Sequence, residues 1–126
     1  MKTLAITVNK FGRDHPVADL HLYCGRTPKM PLIPPMVDAG LGNPFWMGSE
    51  KDRDQVCEQY ADMLDAQPLH PHWKRIRRIA EHLVAGRSVA LYCYCAPKRC
   101  HCDTIRAHAI RIATEWTTDE RFALEH

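Results

Sequence analysis

Apolar and polar positions alternate in three short stretches of the chain. Leu4, Ile6 and Val8 share one side of a β-branched run at residues 4–8, and a second such run covers residues 20–24. The third, Ser88 to Cys95, sets Val89, Leu91, Cys93 and Cys95 on one face and Ala90, Tyr92 and Tyr94 on the other. Both of its faces are mostly apolar, which predicts a central strand covered on both sides. The connection between the first two strands is too short for a helical crossover, so they are expected to run antiparallel. Elsewhere the spacing is helical. Val56, Cys57, Tyr60, Met63 and Leu64 follow Ser49, whose Asp52 three residues on gives a capping-box pattern. Trp73, Ile76, Ile79, Ala80, Leu83 and Val84 mark a second helix beyond Pro68 and Pro71, ended by Gly86. Ile105, Ile112 and Trp116 mark a last one from about His101. The order β-β-loop-α-α-β-α predicts an α/β fold: a single small mixed-sheet domain, Rossmann-like, with about three main strands and helices packed on the sheet.

Composition narrows this picture. At 126 residues, with 45% hydrophobic and 25% charged, the chain suits one domain over residues 1–123 and does not suit disorder. Leu124-Glu125-His126 reads as the remnant of an expression tag. No apolar run approaches the roughly 20 residues of a membrane span, and the start lacks a secretory profile. A cytoplasmic protein with no membrane partner is expected. The net charge of +2 is unevenly spread. Residues 71–111 carry nine Lys/Arg against Glu81 and Asp103, whereas residues 49–65 carry six acids against Lys51 and Arg53. Such asymmetry fits an anionic partner, or two faces that attract each other. Lys74, Arg75, Arg77 and Arg78 could grip nucleic-acid phosphates, but with no aromatic platform or base-reading module beside them a solvated helix face is the favoured reading.

Residues 27–48 are rich in Pro and Gly, and a loop of that length more often serves a function than not. The most informative segment is Cys93-Tyr94-Cys95-Ala96-Pro97-Lys98-Arg99-Cys100-His101-Cys102, where a buried strand feeds a helix start. Ligands of open α/β sheets lie just outside the carboxyl ends of strands, and a helix N-terminus favours anions and thiolates. Three readings of the cysteines remain open. Cys95 and Cys100 with His101 or Cys102 could hold zinc; Cys100 could be a catalytic or redox thiol with His101 as acid/base partner; or the thiols are buried hydrophobes lining a pocket. Cys93 reads as core, and Cys100 and Arg106 have phosphatase spacing without the glycines that would close a phosphate cradle. His70 and His72 read as surface residues, and His108 as half-buried.

Tyr23-Cys24-Gly25-Arg26, Leu41-Gly42-Asn43-Pro44-Phe45, Arg53, Tyr60, and Leu91 to Pro97 with Cys100-His101 together resemble the phage and bacterial domain-of-unknown-function family 4326, over about residues 5 to 113. The resemblance implies a shared site built from Gly25, Arg26, Gly42, Asn43, Pro44, Phe45, Arg53, Cys95, Cys100 and His101, and no activity. Cys102 departs from the pattern, standing where a small residue or glycine is expected. The residues agree with such a site: Asn43, held extended before Pro44, has an amide that could bind a base or sugar edge, and Arg26 and Arg53 are forks for phosphate or carboxylate. The functional expectation is a domain that binds, and could act on, a nucleotide-like or other phosphorylated small ligand. Cys100 and His101 would be its reactive groups, and Gly25, Arg26, Gly42, Asn43 and Arg53 its binding residues. The competing expectation is a non-enzymatic module, zinc-stabilised or bound to nucleic acid.

Overall fold

The computed structural model describes residues 5–26 and 31–118; the segment 124–126 lies outside them. Four strands form one sheet: β1 (Ile6–Lys10), β2 (Leu20–Tyr23), β3 (Met36–Asp38) and β4 (Val89–Cys93). Three helices accompany it: α1 (Arg53–Ala66), entered through a 3₁₀ turn at Glu50–Asp52, α2 (Pro71–Val84) and α3 (His101–Thr118). The α/β, Rossmann-like class holds. The spatial order is β1-β4-β2-β3, and every pairing is parallel, so the sheet is not mixed.

The expected antiparallel pair of β1 and β2 does not exist. The two strands lie on opposite sides of β4, with Ile6 and Leu20 both in register with Val89. Residues 11–19 can reach about 30 Å when extended, enough to run back along a strand and cross two strand spacings without a helix. Gly12, at φ +81°, makes the reversal that an L side chain resists. Asp19 then fixes the return, its carboxylate accepting from the Ser88 backbone at 2.8 Å. Strand β3 is the second departure. It is a three-residue, largely exposed edge strand directly after Pro34-Pro35, too short to show an alternation and preceded by residues that signal a loop.

Strand β4 is central and buried at all five positions, as its two apolar faces require. Val89, Leu91 and Cys93 join Ile6, Val8, Leu20 and Leu22 on the face that meets Ile76, Ile79, Leu83, Ile105 and Ile112 of the helices. Each fully buried Leu or Ile there contributes roughly 1.5–3 kcal/mol. The other face carries Tyr23 and Tyr94 packed on Phe11. At the start of α1, the Asp52 carboxylate accepts from the Ser49 backbone at 3.2 Å, the N3-to-N-cap half of a capping box. Gly86, at φ +84°, ends α2 in the left-handed region.

Candidate functional site

Because the strands are all parallel, the carboxyl ends of β2 and β4 open on the same edge. The chain leaves β4 at Cys93, turns with Lys98 N–H on the Cys95 carbonyl at 2.9 Å, and enters α3. Asp103, one turn into the helix, accepts from the Cys100 backbone at 3.1 Å and fixes that entry. Beside it, residues 24–26 leave β2 and residues 40–47 approach from β3. Between these segments lies a cavity of about 280 Å³.

Two glycines let its walls meet. A side chain on Gly25 would collide with the Tyr23 phenol, and a Cβ on Gly42 would sit 3.1 Å from the Gly25 carbonyl and 3.3 Å from Arg26 Cα. Residues 40–43 have no strand partner, yet their four carbonyls all accept from side chains. Arg75 donates to Gly40 at 3.1 Å, Tyr60 to Leu41 at 2.9 Å, His72 to Gly42 at 3.3 Å, and Arg26 to Asn43 at 2.6 Å. Donors from α1, α2 and the end of β2 thus replace the missing ladder. His72 is therefore half-buried against Tyr60 and His70 caps α2, which corrects the reading of both as surface residues. His108 packs edge-on against Trp73.

Gly25, Arg26, Asn43, Arg53, Cys95, Cys100 and His101 all line the cavity; Gly42 lies behind its wall, at the loop crossing. Several carry different bonds from those expected. The Asn43 amide is not free for a ligand: Nδ2 donates to the Val56 carbonyl at 3.1 Å, and Oδ1 accepts from Phe45 N–H at 2.9 Å. Arg53 spends its fork on Glu50, at 2.7–3.0 Å, and on the Arg99 carbonyl at 3.0 Å. Those bonds, with the Cys95 thiol, hold its guanidinium firmly protonated. Arg26 lies over the Trp46 ring, 5.0 Å from its centroid. Arg99, not singled out by sequence, reaches the cavity while pairing with Asp54 and Glu58, so basic turn and acidic helix do attract each other. Arg106, the phosphatase-spaced arginine, instead donates to the Ile6 carbonyl at 2.8 Å.

His101 is half-buried on the cavity wall, and the partial loss of solvent lowers its pKa. Its Nε2 is held by the Cys24 carbonyl, and its ring meets Tyr60 edge-on. With that nitrogen committed, His101 reads as a positioning residue more readily than as an acid/base partner of Cys100.

The thiols are regrouped. Cys93, Cys100 and Cys102 are all buried, with sulfurs within 4.8 Å of one another and the Cys93–Cys100 pair at 3.0 Å. Together they could hold a metal ion. Of the expected set, Cys95 and Cys100 with His101 or Cys102, the group contains Cys100 and Cys102, while Cys95 and His101 lie outside it. Cys93 is core, as read, and its sulfur also belongs to this group. Cys102 shares the inner side of α3 with Ile105, Ala109 and Ile112, a helical spacing that could have placed it against β4. Within the cluster, hydrogen bonds from Cys102 and Cys93 hold the Cys100 thiol low, at about 5. The Cys102 thiol, bonded to Cys100, Cys24 and Cys93 and fully buried, is pushed well up.

A parallel α/β sheet, a cavity at its carboxyl edge and a thiol cluster beneath make up a small domain of Rossmann-like architecture. The chain belongs to a domain of unknown function family, DUF4326, whose model matches residues 8–111. No curated protein and no solved structure matches it. Among the described residues, no helix is long and apolar enough to cross a membrane.

Proposed function

We propose that the domain binds a nucleotide-like or other phosphorylated small ligand in the cavity between residues 40–47 and the Cys-His turn. One observation carries this reading: Arg26, Arg53 and Arg99 line the cavity, and no carboxylate does among the described residues. Phe45, Trp46 and Tyr94 add flat apolar surface on which a base or similar ring can lie. Guanidiniums beside aromatic faces suit an anion joined to a planar group. Any chemistry on that ligand falls to Cys100, the low-titrating thiol on the cavity wall, with His101 as its positioning neighbour.

Thermal-shift screening of nucleotides, sugar phosphates and inorganic phosphate tests this reading. A ligand at 100 times its Kd stabilises by about 2.7 kcal/mol. Arg26→Ala and Arg99→Ala should each weaken the effect, and Arg53→Ala should do so while also loosening the Glu50 contact. No shift with any of these compounds, or an unchanged shift in all three variants, overturns it.

The second reading is a non-enzymatic, zinc-stabilised module, and the three converging thiols favour it. In that case the exposed Lys74, Arg75, Arg77 and Arg78 are the surface for nucleic acid. A salt titration of nucleic-acid binding with no slope would dismiss that partner.

A further inference from the structure

The thiol cluster is larger than its three central members. Cys24 lies beside Cys93 in the sheet, its N–H donating to the Tyr92 carbonyl at 2.9 Å, and its thiol interacts with that of Cys102; Cys95 adjoins Cys93 on the cavity side, where Arg53 engages it. Five of the six cysteines therefore form one array, from Cys24 at the end of β2, through Cys102, Cys100 and Cys93, to Cys95. All are reduced. The two ends differ. Cys24 has no solvent exposure, and its thiol also makes a long 3.7 Å contact to the Leu22 carbonyl. Cys95 is partly open to the cavity and already occupied by a guanidinium.

The geometry points to a closed four-thiolate zinc site formed by Cys24, Cys93, Cys100 and Cys102, with Cys95 and His101 outside it. This rests on the zinc reading above and adds the identity of the fourth ligand. Tetrahedral zinc with Zn–S bonds of about 2.3 Å needs sulfurs about 3.8 Å apart. The central three already lie within 4.8 Å of one another, so Cys93 and Cys100 need only separate by less than an ångström from 3.0 Å. Cys24 stands outside that group of three, so its thiol has to leave the Leu22 carbonyl and close on the others as the ion enters. Each thiol gives up its proton to solvent as the ion enters, leaving a site of net charge −2. That charge lies at the N-terminal end of α3, beside Lys98, Arg99 and Arg53, where dipole and side chains offset it. The ligands come from β2, β4 and α3, so the ion ties together the elements beneath the cavity floor. A closed, structural site fits this placement, because Cys95, the cavity-lining thiol that is not buried, is the one left out.

Titration of the reduced full chain with Zn(II) and Co(II) tests the assignment. One ion per chain is expected, with intense visible cobalt bands of tetrahedral coordination and a near-ultraviolet sulfur-to-cobalt band sized for four thiolates. Losing a ligand should cost at least as much affinity as losing an outer partner, about 10- to 100-fold. Cys24→Ala should therefore weaken binding by that factor and lower the charge-transfer band by about a quarter, whereas Cys95→Ala leaves both unchanged. X-ray absorption of the zinc-loaded wild-type chain counts sulfurs independently of any variant's folding, and four are expected. Three sulfurs with a lighter atom, or an effect of Cys95→Ala in place of Cys24→Ala, overturns the Cys24 assignment while leaving a zinc module standing. No binding of either ion overturns the zinc reading and this inference with it.

Discussion

Replacing Tyr60 by Phe removes one oxygen and nothing else from the centre of the structure. The Tyr60 side chain has no solvent exposure, and its ring touches His101 at 5.1 Å and His72 at 5.9 Å between centroids. All of that packing survives in Phe. What is lost is the 2.9 Å hydrogen bond to the Leu41 carbonyl, which belongs to a residue that is itself fully buried. A neutral hydrogen bond contributes roughly 1 kcal/mol net, and a buried acceptor left unpaired costs about 1–3 kcal/mol. The expected loss is therefore about 1–2 kcal/mol, or about 4–8 °C in Tm for a domain of this size. Urea unfolding followed by circular dichroism should show an earlier midpoint with an unchanged slope. Tyr60→Leu, which also loses the ring contacts, should fall further. A Tyr60→Phe midpoint within about 0.3 kcal/mol of wild type would refute the reasoning, since such a change is far below the cost of an orphaned buried carbonyl. Water would then be serving Leu41, and the side-chain anchoring of residues 40–43 would contribute little.

The remaining predictions concern the same wall and the histidines behind it. Gly42→Ala puts a methyl group 3.1 Å from the Gly25 carbonyl; a cost of about 1–3 kcal/mol and weaker ligand-induced stabilisation are expected, and an unchanged melting curve would show that the two loops can part freely. Asn43→Ala leaves the Val56 carbonyl and the Phe45 N–H without their partner, for a loss of about 1–3 kcal/mol in chemical denaturation. Burial lowers the pKa of both His72 and His108 below the ordinary 6.5, with Arg75, His70 and His101 facing the first and Arg111 and Asp65 the second. Folding therefore favours their neutral forms, and the unfolded chain binds more protons below pH 6.5. Stability should be level above that point and fall as the pH drops from 7.5 to 5.5; equal unfolding midpoints at the two pH values would contradict it.

The central strand was legible because Val89, Leu91 and Cys93 alternate with Ala90 and Tyr92, and only a strand covered on two sides can be apolar on both. Its neighbours were not. The rule that short connections join antiparallel neighbours assumes that the connected strands touch, and residues 11–19 instead carry the chain past an empty position that β4 later fills. At the site, the residues carried by the resemblance, from Gly25 to His101, do gather around one cavity. Their long-range bonds were not legible, because Asn43 and Arg53 also donate to the backbone carbonyls of Val56 and Arg99, which sequence cannot place. The thiol cluster was half visible. Cys100 stood out by its position, whereas Cys102 was judged by its departure from the family pattern instead of by its place on the inner side of α3.

The position of β4 also sets an order of events during synthesis. Neither β1 nor β2 pairs with the other; both pair with β4, and β2 with β3 on its far side. Until residues 89–93 have left the ribosome, only the short β2–β3 pair can form, and β1 has no partner at all. Both connecting helices are by then already made. The sheet, and with it the cavity and its floor of thiols, closes in one late step that spans most of the chain. Such long-range closure is slow relative to local helix formation, and unpaired strands are the species most exposed to aggregation while it waits. A chain stopped just before Cys93 would carry 92 of the 126 residues, Arg26, Asn43 and Arg53 among them, without the Cys-His turn that completes the cavity wall.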